Sequence, residues 1–458
     1  MILTNFTISE AATIREALLV IENNHKGFIL VVDSSDKIIG IATDGDIRRK
    51  LLEDVTVEDR IVNCANRDFV WANLDTPREE ILKQLDHKIR AIPVLDQERK
   101  LVSIFTPDHL PEMAEVRTFS RAKAPVRISF GGGGSDISTY FTQHGGAVIN
   151  ATISLYSHAT LNLRSDEKIF ISSLDLNDSA EFNDLSDLMA HDGRFVLIKS
   201  IIKAIKPTFG FELFLYSDFP MSSGLGGSAV VTAAVLGCFN ELRIDKWDQH
   251  ELAEIAFQAE RLHMGVAGGW QDQYATVFGG LNFMEFNRNQ NIIHPIRIPA
   301  DILLELEESL VLCYTGSGHD SGNIHQDQKL QTKKIDVVDR IQANVDLTYE
   351  MRNLLLRGNL NDFGVCLDTA WQLKRSFSTK ISNSKLDEIY AGALKNGAIG
   401  GKLLGAGGGG YFLFYVPAFA RHKLMHWIKE KGLIYTPFRF EGAGLQSWTV
   451  REKNKKNS

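Results

Sequence analysis

Asp218-Phe219-Pro220-Met221-Ser222-Ser223-Gly224-Leu225-Gly226-Gly227-Ser228-Ala229 is the stretch on which the reading of this chain turns. A β-rich run, Phe211 to Tyr216, leads into it, and an apolar, alanine-rich helical run follows through Phe239. Glycine lets the backbone close on a charged ligand. Amides at a helix start point the same way, and the helix dipole adds positive charge there. The loop therefore suits an anion, with phosphate as the natural occupant. Two other readings compete. Serine could simply cap the helix, or Gly224 to Ala229, which satisfies G-x-G-x-x-A, could be a dinucleotide turn. A dinucleotide turn puts its first glycine almost on the strand end, whereas Ser217 to Ser223 intervenes here. The phosphate loop ranks first, the plain cap second and the dinucleotide turn third.

Pro220-x-x-x-Gly224-Leu225-Gly226-x-Ser228-Ala229 closely resembles the signature loop of the GHMP kinases, the family of galactokinase, homoserine kinase and mevalonate kinase. Gly227 stands where the family usually has a first serine. The resemblance implies that Ser222, Ser223, Gly224, Leu225, Gly226, Gly227, Ser228 and Ala229 cradle the phosphates of ATP, mainly through the backbone. It also implies that the Ser228 hydroxyl reaches Mg²⁺.

Two further glycine loops flank this one. Ala124-Pro-Val-Arg127-Ile-Ser-Phe-Gly-Gly-Gly133-Gly134-Ser-Asp136 is a strand ending in four glycines that delivers a carboxylate. Alone, it would equally suit a hairpin with Asp136 as a helix cap. It resembles the first GHMP motif, which implies that Asp136, with Gly133 and Gly134, accepts sugar hydroxyls. Arg127 would then hold a second carboxylate ionised by placing positive charge beside it. Gly400-Gly-Lys402-Leu-Leu-Gly405-Ala-Gly407-Gly408-Gly-Gly410 contains G-x-G-x-x-G, but a strand follows where a dinucleotide fold needs a helix. Leu403 after Lys402 excludes a Walker A loop. The run could be packing alone; it resembles the third GHMP motif, which places Gly407 and Gly408 at the substrate.

Between these loops, Trp247 to His263 reads as a helix with Leu252, Ile255, Ala259 and Leu262 on its buried stripe and Glu260 beside it. Gly265 to Gly269 ends it, and Asp272 follows. One carboxylate of such a pair can hold Mg²⁺ and the other can take a proton from an attacking hydroxyl. The bland alternative is a surface glutamate and a turn aspartate. The family resemblance makes Glu260 the Mg²⁺ ligand and Asp272 the catalytic carboxylate. Gly268-Gly-Trp-Gln-Asp272-Gln-Tyr-Ala and the following Phe-Gly-Gly-Leu-Asn resemble the branch containing heptose 7-phosphate kinases and fucokinases. That implies ATP-dependent phosphorylation of an anomeric hydroxyl, with D-glycero-D-manno-heptose 7-phosphate as the first substrate and L-fucose as the alternative. A third possibility is a nucleotide-sensing regulatory protein with an inert kinase half; intact Ser228, Glu260 and Asp272 argue against it. Lys374, Arg375 and Lys402 are candidates for a substrate phosphate.

Residues 1–116 carry an internal repeat of helical face, buried strand, polar turn and strand, in which Asp33 matches Asp96 and Thr43 matches Thr106. Two copies are too few for a solenoid, so a pseudo-twofold pair packing through its sheets is expected. The module resembles a tandem pair of CBS domains. Gly40-Ile-Ala-Thr43-Asp44-Gly-Asp46 matches the ribose-contacting loop of that family, which implies an adenine nucleotide at Thr43, Asp44 and Asp46. Ser103 and His109 break the pattern in the second copy. The alternative is that Thr43 and Asp44 merely cap a helix, leaving a homodimerisation role.

The remaining composition sets bounds. With 458 residues, 44% hydrophobic, the chain can hold two or three domains. A formal net charge of −7 argues against a nucleic-acid or anionic-membrane partner. Four scattered cysteines without C-x-x-C spacing fit a reducing compartment. No apolar run reaches the roughly 18 residues of a membrane span, and Met1 to Glu10 lacks signal-peptide character, so a cytoplasmic protein is expected. The polar stretch Pro107 to Lys123 reads as a linker, and Arg451 to Ser458 as a solvated basic tail. His319 and His325 read as ordinary loop histidines, and His422 and His426 flank Lys423 where a zincin needs glutamate. The resulting expectation is an α+β (mixed α/β) architecture. A tandem CBS module (1–116) and the linker end (117–123) precede a two-lobed GHMP kinase fold (124–300 and 301–450).

Overall fold

A computed structural model describes residues 3–86, 88–111, 116–191, 193–316, 335–378 and 380–453; His319 and His325 lie outside the described residues. The chain forms two compact units, one built from the segment up to Arg117 and the other from Thr118–Arg451.

The first unit obeys its repeat down to single bonds. One sheet orders Thr7–Ser9, Phe28–Val32 and Ile38–Thr43, and the other Ala72–Asn73, Ile92–Leu95 and Leu101–Phe105. In each, a parallel pair adjoins an antiparallel hairpin, and both hairpins slip register at the matching place, Val31/Val32 and Val94/Leu95. The turn aspartates explain the match. Asp33 Oδ1 accepts the Ser35 and Lys37 amides at 2.8 and 3.0 Å, and Asp96 Oδ1 accepts those of Glu98 and Lys100 at 2.9 Å each. Phe28, Leu30 and Ile38 share one buried cluster with Ala91, Leu95 and Ile104, so the two copies pack through their sheets.

The second unit opens on a strand, not on a linker. Val116–Gly131 runs through the segment 117–123, because burial at Ala122, Ala124, Val126, Ile128 and Phe130 continues one period-two face backwards past the first glycine motif. This strand pairs with Gly146–Leu163 and, on its other edge, with Gln446–Lys453. The expected basic tail thus begins as strand, and residues 454–458 lie outside the described residues. Register breaks at Pro125/Val126 and Ser129/Gly131 bracket Arg127; bulges of this kind re-aim the side chains beside them. The same sheet continues through Asp178–Phe182, Ile169–Ser173, Phe211–Ser217, Gly146–Leu163, Leu281–Phe286 and Asn291–Pro295. Against it lies the helix Gly227–Glu241, buried from Thr232 through Asn240 without a polar face, as its alanine-rich sequence dictates.

A second, four-stranded antiparallel sheet orders Gly400–Leu403, Tyr411–Tyr415, Leu310–Tyr314 and Ile434–Tyr435. Its first two strands are joined by the glycine run 405–410, a hairpin loop. All four cysteines are free and buried. Among the described residues no helix is long and apolar enough to cross a membrane.

Candidate active site

The loop Ser222 to Gly226 takes left-handed backbone at Ser222, Gly224 and Gly226 (φ 55°, 83° and 79°), and Gly226 caps the helix that starts at Gly227. The first amides of that helix have no acceptor one turn back, so they are available to an anion. The third glycine motif holds the loop from behind. Tyr411 N–H donates to Ser223 O at 3.1 Å. A Cβ on Gly224 would stand 2.7 Å from Leu404 O, and one on Gly405 would stand 2.5 Å from Gly224 Cα. Glycine at both places is what lets two backbones touch.

Arg127 joins the first motif to this loop. Its Nη1 donates to Gly224 O at 2.8 Å, while Nε and Nη2 both reach Asp272 Oδ1 at 2.8 Å. Asp272 lies in the first turn of a helix, Gln271–Phe278, not in the turn of the bland alternative. Its second oxygen, Oδ2, lies 3.1 Å from where a Cβ on Gly226 would be. One oxygen is therefore anchored and the other faces the phosphate loop, with no described donor upon it.

Glu260 is brought to the same loop by a break in helical phase. The helix Gln249–Phe257 widens into a π-helical turn, Gln258–His263. Such turns shift the buried face. Leu262, expected on the stripe, is 69% exposed, while Glu260 is only 1% exposed. Its carboxylate accepts from the Ser228 hydroxyl and the Gln273 side-chain amide. Burial pushes the Glu260 carboxyl above its usual range, opposed by the adjacent Arg261 and by these two hydrogen bonds.

Asp136 lines the neighbouring pocket with Arg127, Asp272, Lys374 and Lys402. It is 6% exposed and accepts the Gly134 and Gln271 amides at 3.1 and 3.2 Å. Burial, then nearby Asp272, raises its carboxyl pKa. Lys374 Nζ donates to Leu403 O at 2.9 Å and to Gly405 O, and Lys402 Nζ donates to Phe130 O at 3.1 Å. Lys374 thus ties the helix Leu360–Arg375 to the third motif, and Lys402 ties the third motif to the first.

The model of the GHMP kinases N terminal domain matches residues 196–280, and that of the GHMP kinases C terminal matches residues 351–421. A D-glycero-alpha-D-manno-heptose 7-phosphate kinase of Campylobacter jejuni is 35% identical over 336 residues, 72% of this chain and 99% of that protein. The chain belongs to the GHMP kinases. The crystal structure of a D-glycero-D-manno-heptose 1-phosphate kinase from Bacteroides thetaiotaomicron superposes with a TM-score of 0.61 at 28% identity, covering 72% of this chain and 99% of its own. An L-fucokinase/L-fucose-1-P guanylyltransferase of Bacteroides fragilis is 26% identical over 323 residues, 63% of this chain and 34% of that protein. CBS domain models match residues 2–53 and 57–110. The protein is thus a GHMP sugar kinase, a phosphotransferase with an alcohol acceptor, carrying a CBS pair.

In this GHMP kinase, Ser228, Glu260, Asp272 and Arg127 meet at the phosphate loop, and Asp136, Gly133, Gly134 and Lys374 line the adjoining pocket. Gly407 and Gly408 do not line it. A Cβ on Gly407 would meet Ile381, and the Gly408 amide donates to Ile381 O at 2.8 Å, so both pack against Ile381. Sequence reasoning missed Ser129, Arg261, Gln271 and Asn344, which also line the pocket. Only Arg261 carried a local signal, a cation directly after Glu260. In the CBS unit, Thr43 Oγ1 accepts the Asp46 amide at 3.2 Å and donates to Asp46 Oδ2 at 2.6 Å. The cap of the helix Asp44–Leu51 is therefore Thr43 with Asp46, not with Asp44.

The buried lysines make stability depend on pH. Burial, and second Arg127, pull Lys402 from 10.5 to about 7. Burial, then Lys402 and Arg127, holds Lys374 well below its ordinary value. Below pH 7 the folded and unfolded chains both bind the Lys402 proton, and the cost of burying the charge is full. Between about 7 and 10.5 the folded chain releases it first, so stability rises with pH. Lys402→Met should therefore raise the unfolding midpoint of the ligand-free protein more at pH 6 than at pH 9. An equal change at both values would show that the ammonium is not strained by burial.

Proposed function

We propose that the kinase unit transfers the γ-phosphoryl group of ATP to the anomeric hydroxyl of D-glycero-D-manno-heptose 7-phosphate, giving the 1,7-bisphosphate for nucleotide-activated heptose and surface polysaccharide synthesis. The observation that carries this reading is the position of Asp272 Oδ2 beside Gly226 of the phosphate loop. In the proposed step Oδ2 takes the proton of the sugar O1–H. O1 forms its bond to the γ-phosphorus as the bond to the β–γ bridging oxygen breaks, and ADP leaves. Arg127 holds Asp272 through Oδ1 and Gly224 through its carbonyl, fixing base and loop in one frame. Helix-start amides and Ser228 hold the phosphates, so positioning and charge neutralisation do most of the catalysis.

Ser228 and Glu260 fit Mg²⁺: one buried carboxylate beside one hydroxyl suits a cation that takes its other oxygens from phosphate and water. Bound there, the ion would neutralise charge developing on the phosphate oxygens.

Two arginines, Arg127 and Arg261, line the acceptor pocket beside the carboxylates Asp136 and Asp272, which supports a sugar phosphate over free L-fucose. The C. jejuni relative supports the heptose, and the B. fragilis relative is what keeps fucose as the second reading. For the N-terminal unit the proposal is an adenine nucleotide at Thr43, Asp44 and Asp46, with pairing of two copies through the same module.

Incubation of the purified protein with Mg-ATP and a panel of free sugars and sugar phosphates, followed by ³¹P NMR, tests the main reading. A new glycosyl 1-phosphate resonance is expected with heptose 7-phosphate. Product formed only from L-fucose, or from no sugar, would refute it.

A further inference from the structure

Among the described residues, four that line the acceptor pocket each carry a buried polar atom with no hydrogen-bond partner: Ser129 Oγ, Gln271 Oε1, Asn344 Oδ1 and Arg261 Nε. A buried polar group left unpaired destabilises the fold, and four such residues around one pocket point to a ligand that supplies their partners. Their chemistry describes that ligand. Two are carbonyl oxygens that can only accept, one is a hydroxyl that does either, and one is a cationic donor. A polyhydroxylated molecule carrying an anion completes all four.

We propose that Arg261 reads the anionic group carried by the acceptor sugar, while Asn344, Gln271 and Ser129 read its hydroxyls. The inference rests on the kinase reading above and assigns the residue that selects a phosphorylated over a free sugar. Each other basic side chain in the pocket is already committed: Arg127 to Asp272 and Gly224, Lys374 to Leu403 and Gly405, Lys402 to Phe130. Arg261 has only long contacts to carbonyl oxygens, Nη1 to Val266 at 3.4 Å and Nη2 to Gly269 at 3.3 Å. Among the described residues no carboxylate pairs with it.

The local sequence makes room for this. A Cβ on Gly268 would stand 2.4 Å from the Arg261 guanidinium, and one on Gly269 would stand 1.8 Å from Asp136 Oδ2. Adjacent glycines thus leave space for one cation and one carboxylate at the acceptor. The π-helical turn divides the labour: Glu260 faces Ser228 at the phosphate loop, and the next residue, Arg261, lines the acceptor pocket. A planar guanidinium matches a phosphate better than an ammonium does.

Calorimetric binding of heptose 7-phosphate and of the unphosphorylated heptose to the full chain tests the assignment without requiring turnover. The wild-type protein should prefer the phosphorylated form. In Arg261→Gln its affinity for that form should fall by ~10–100-fold, with affinity for the free heptose held within about threefold. Arg261→Lys, which keeps charge and stem, should recover part of the loss. The assignment is overturned if Arg261→Gln keeps the preference, or if both sugars weaken equally. A wild-type protein that binds neither sugar overturns both the assignment and the kinase reading. Binding as expected without formation of a 1-phosphate overturns the kinase reading and leaves Arg261 in its role.

Discussion

Asp272→Asn should lower kcat with heptose 7-phosphate by ~10²–10⁴-fold, the range for loss of a positioned general base. Asparagine keeps the shape of aspartate and can present its carbonyl oxygen to Arg127, which reaches Oδ1 through two N–H groups. An amide nitrogen then occupies the Oδ2 position beside Gly226, and it cannot accept the proton of the sugar hydroxyl. Fold and nucleotide site are otherwise unchanged, so the thermal shift produced by Mg-ADP should persist. Turnover within threefold of wild type would remove Asp272 from the role of base. Loss of the Mg-ADP shift together with turnover would instead make it part of the nucleotide site.

Arg127→Met should fail differently, losing stability as well as turnover. The Arg127 side chain is 5% exposed and ties together two separate segments, the phosphate loop at Gly224 and the helix start at Asp272. Methionine fills most of the volume but leaves a carboxylate and a carbonyl without their donor. Breaking a buried ion pair costs about 3–5 kcal/mol. Asp272 retains 22% exposure, so water covers part of the loss and the lower end of that range is expected. Urea unfolding of the kinase unit would measure it. A change below about 0.5 kcal/mol would mean that the pair is incidental to the fold. Arg127→Lys should fall between the two, since one ammonium cannot reach both acceptors in the guanidinium's geometry.

The contrast between these variants shows which parts of the site sequence can express. Glycine loops are legible because they are local: the backbone must pass close to something, and only glycine permits it. The N-terminal repeat is legible for the same reason, since the turns at Asp33 and Asp96 are each closed by side-chain bonds to amides just downstream. Glu260 and Asp272 could be paired only through the family resemblance, because nothing local makes a carboxylate face a loop on a different segment of the chain.

What stayed hidden is long-range. The π-helical turn that buries Glu260 and exposes Leu262 has no signature in an α-helical pattern, which predicts the opposite faces. The strand start at Val116 was masked by polar residues, although Ala122 and Ala124 share the alternation of Val126 and Ile128. Asn344 sits on the helix Ile335–Leu356 and reaches Gly133 O at 3.2 Å, a contact between the two lobes' sequences that no spacing foretells. A motif gives every glycine one role, whereas in the fold Gly405 lies against Gly224 while Gly407 and Gly408 pack against Ile381.

Behind all of these expectations stands one spatial claim: the phosphate loop, Glu260 and Asp272 enclose a single magnesium-nucleotide with the acceptor oxygen beside Asp272. A crystal structure of the full chain with Mg²⁺, a non-hydrolysable ATP analogue and heptose 7-phosphate measures it directly. The ion should contact Ser228 and Glu260, with the sugar O1 about 3 Å from Asp272 Oδ2. A nucleotide bound away from Gly224–Ser228, or a sugar O1 turned from Asp272, would contradict it.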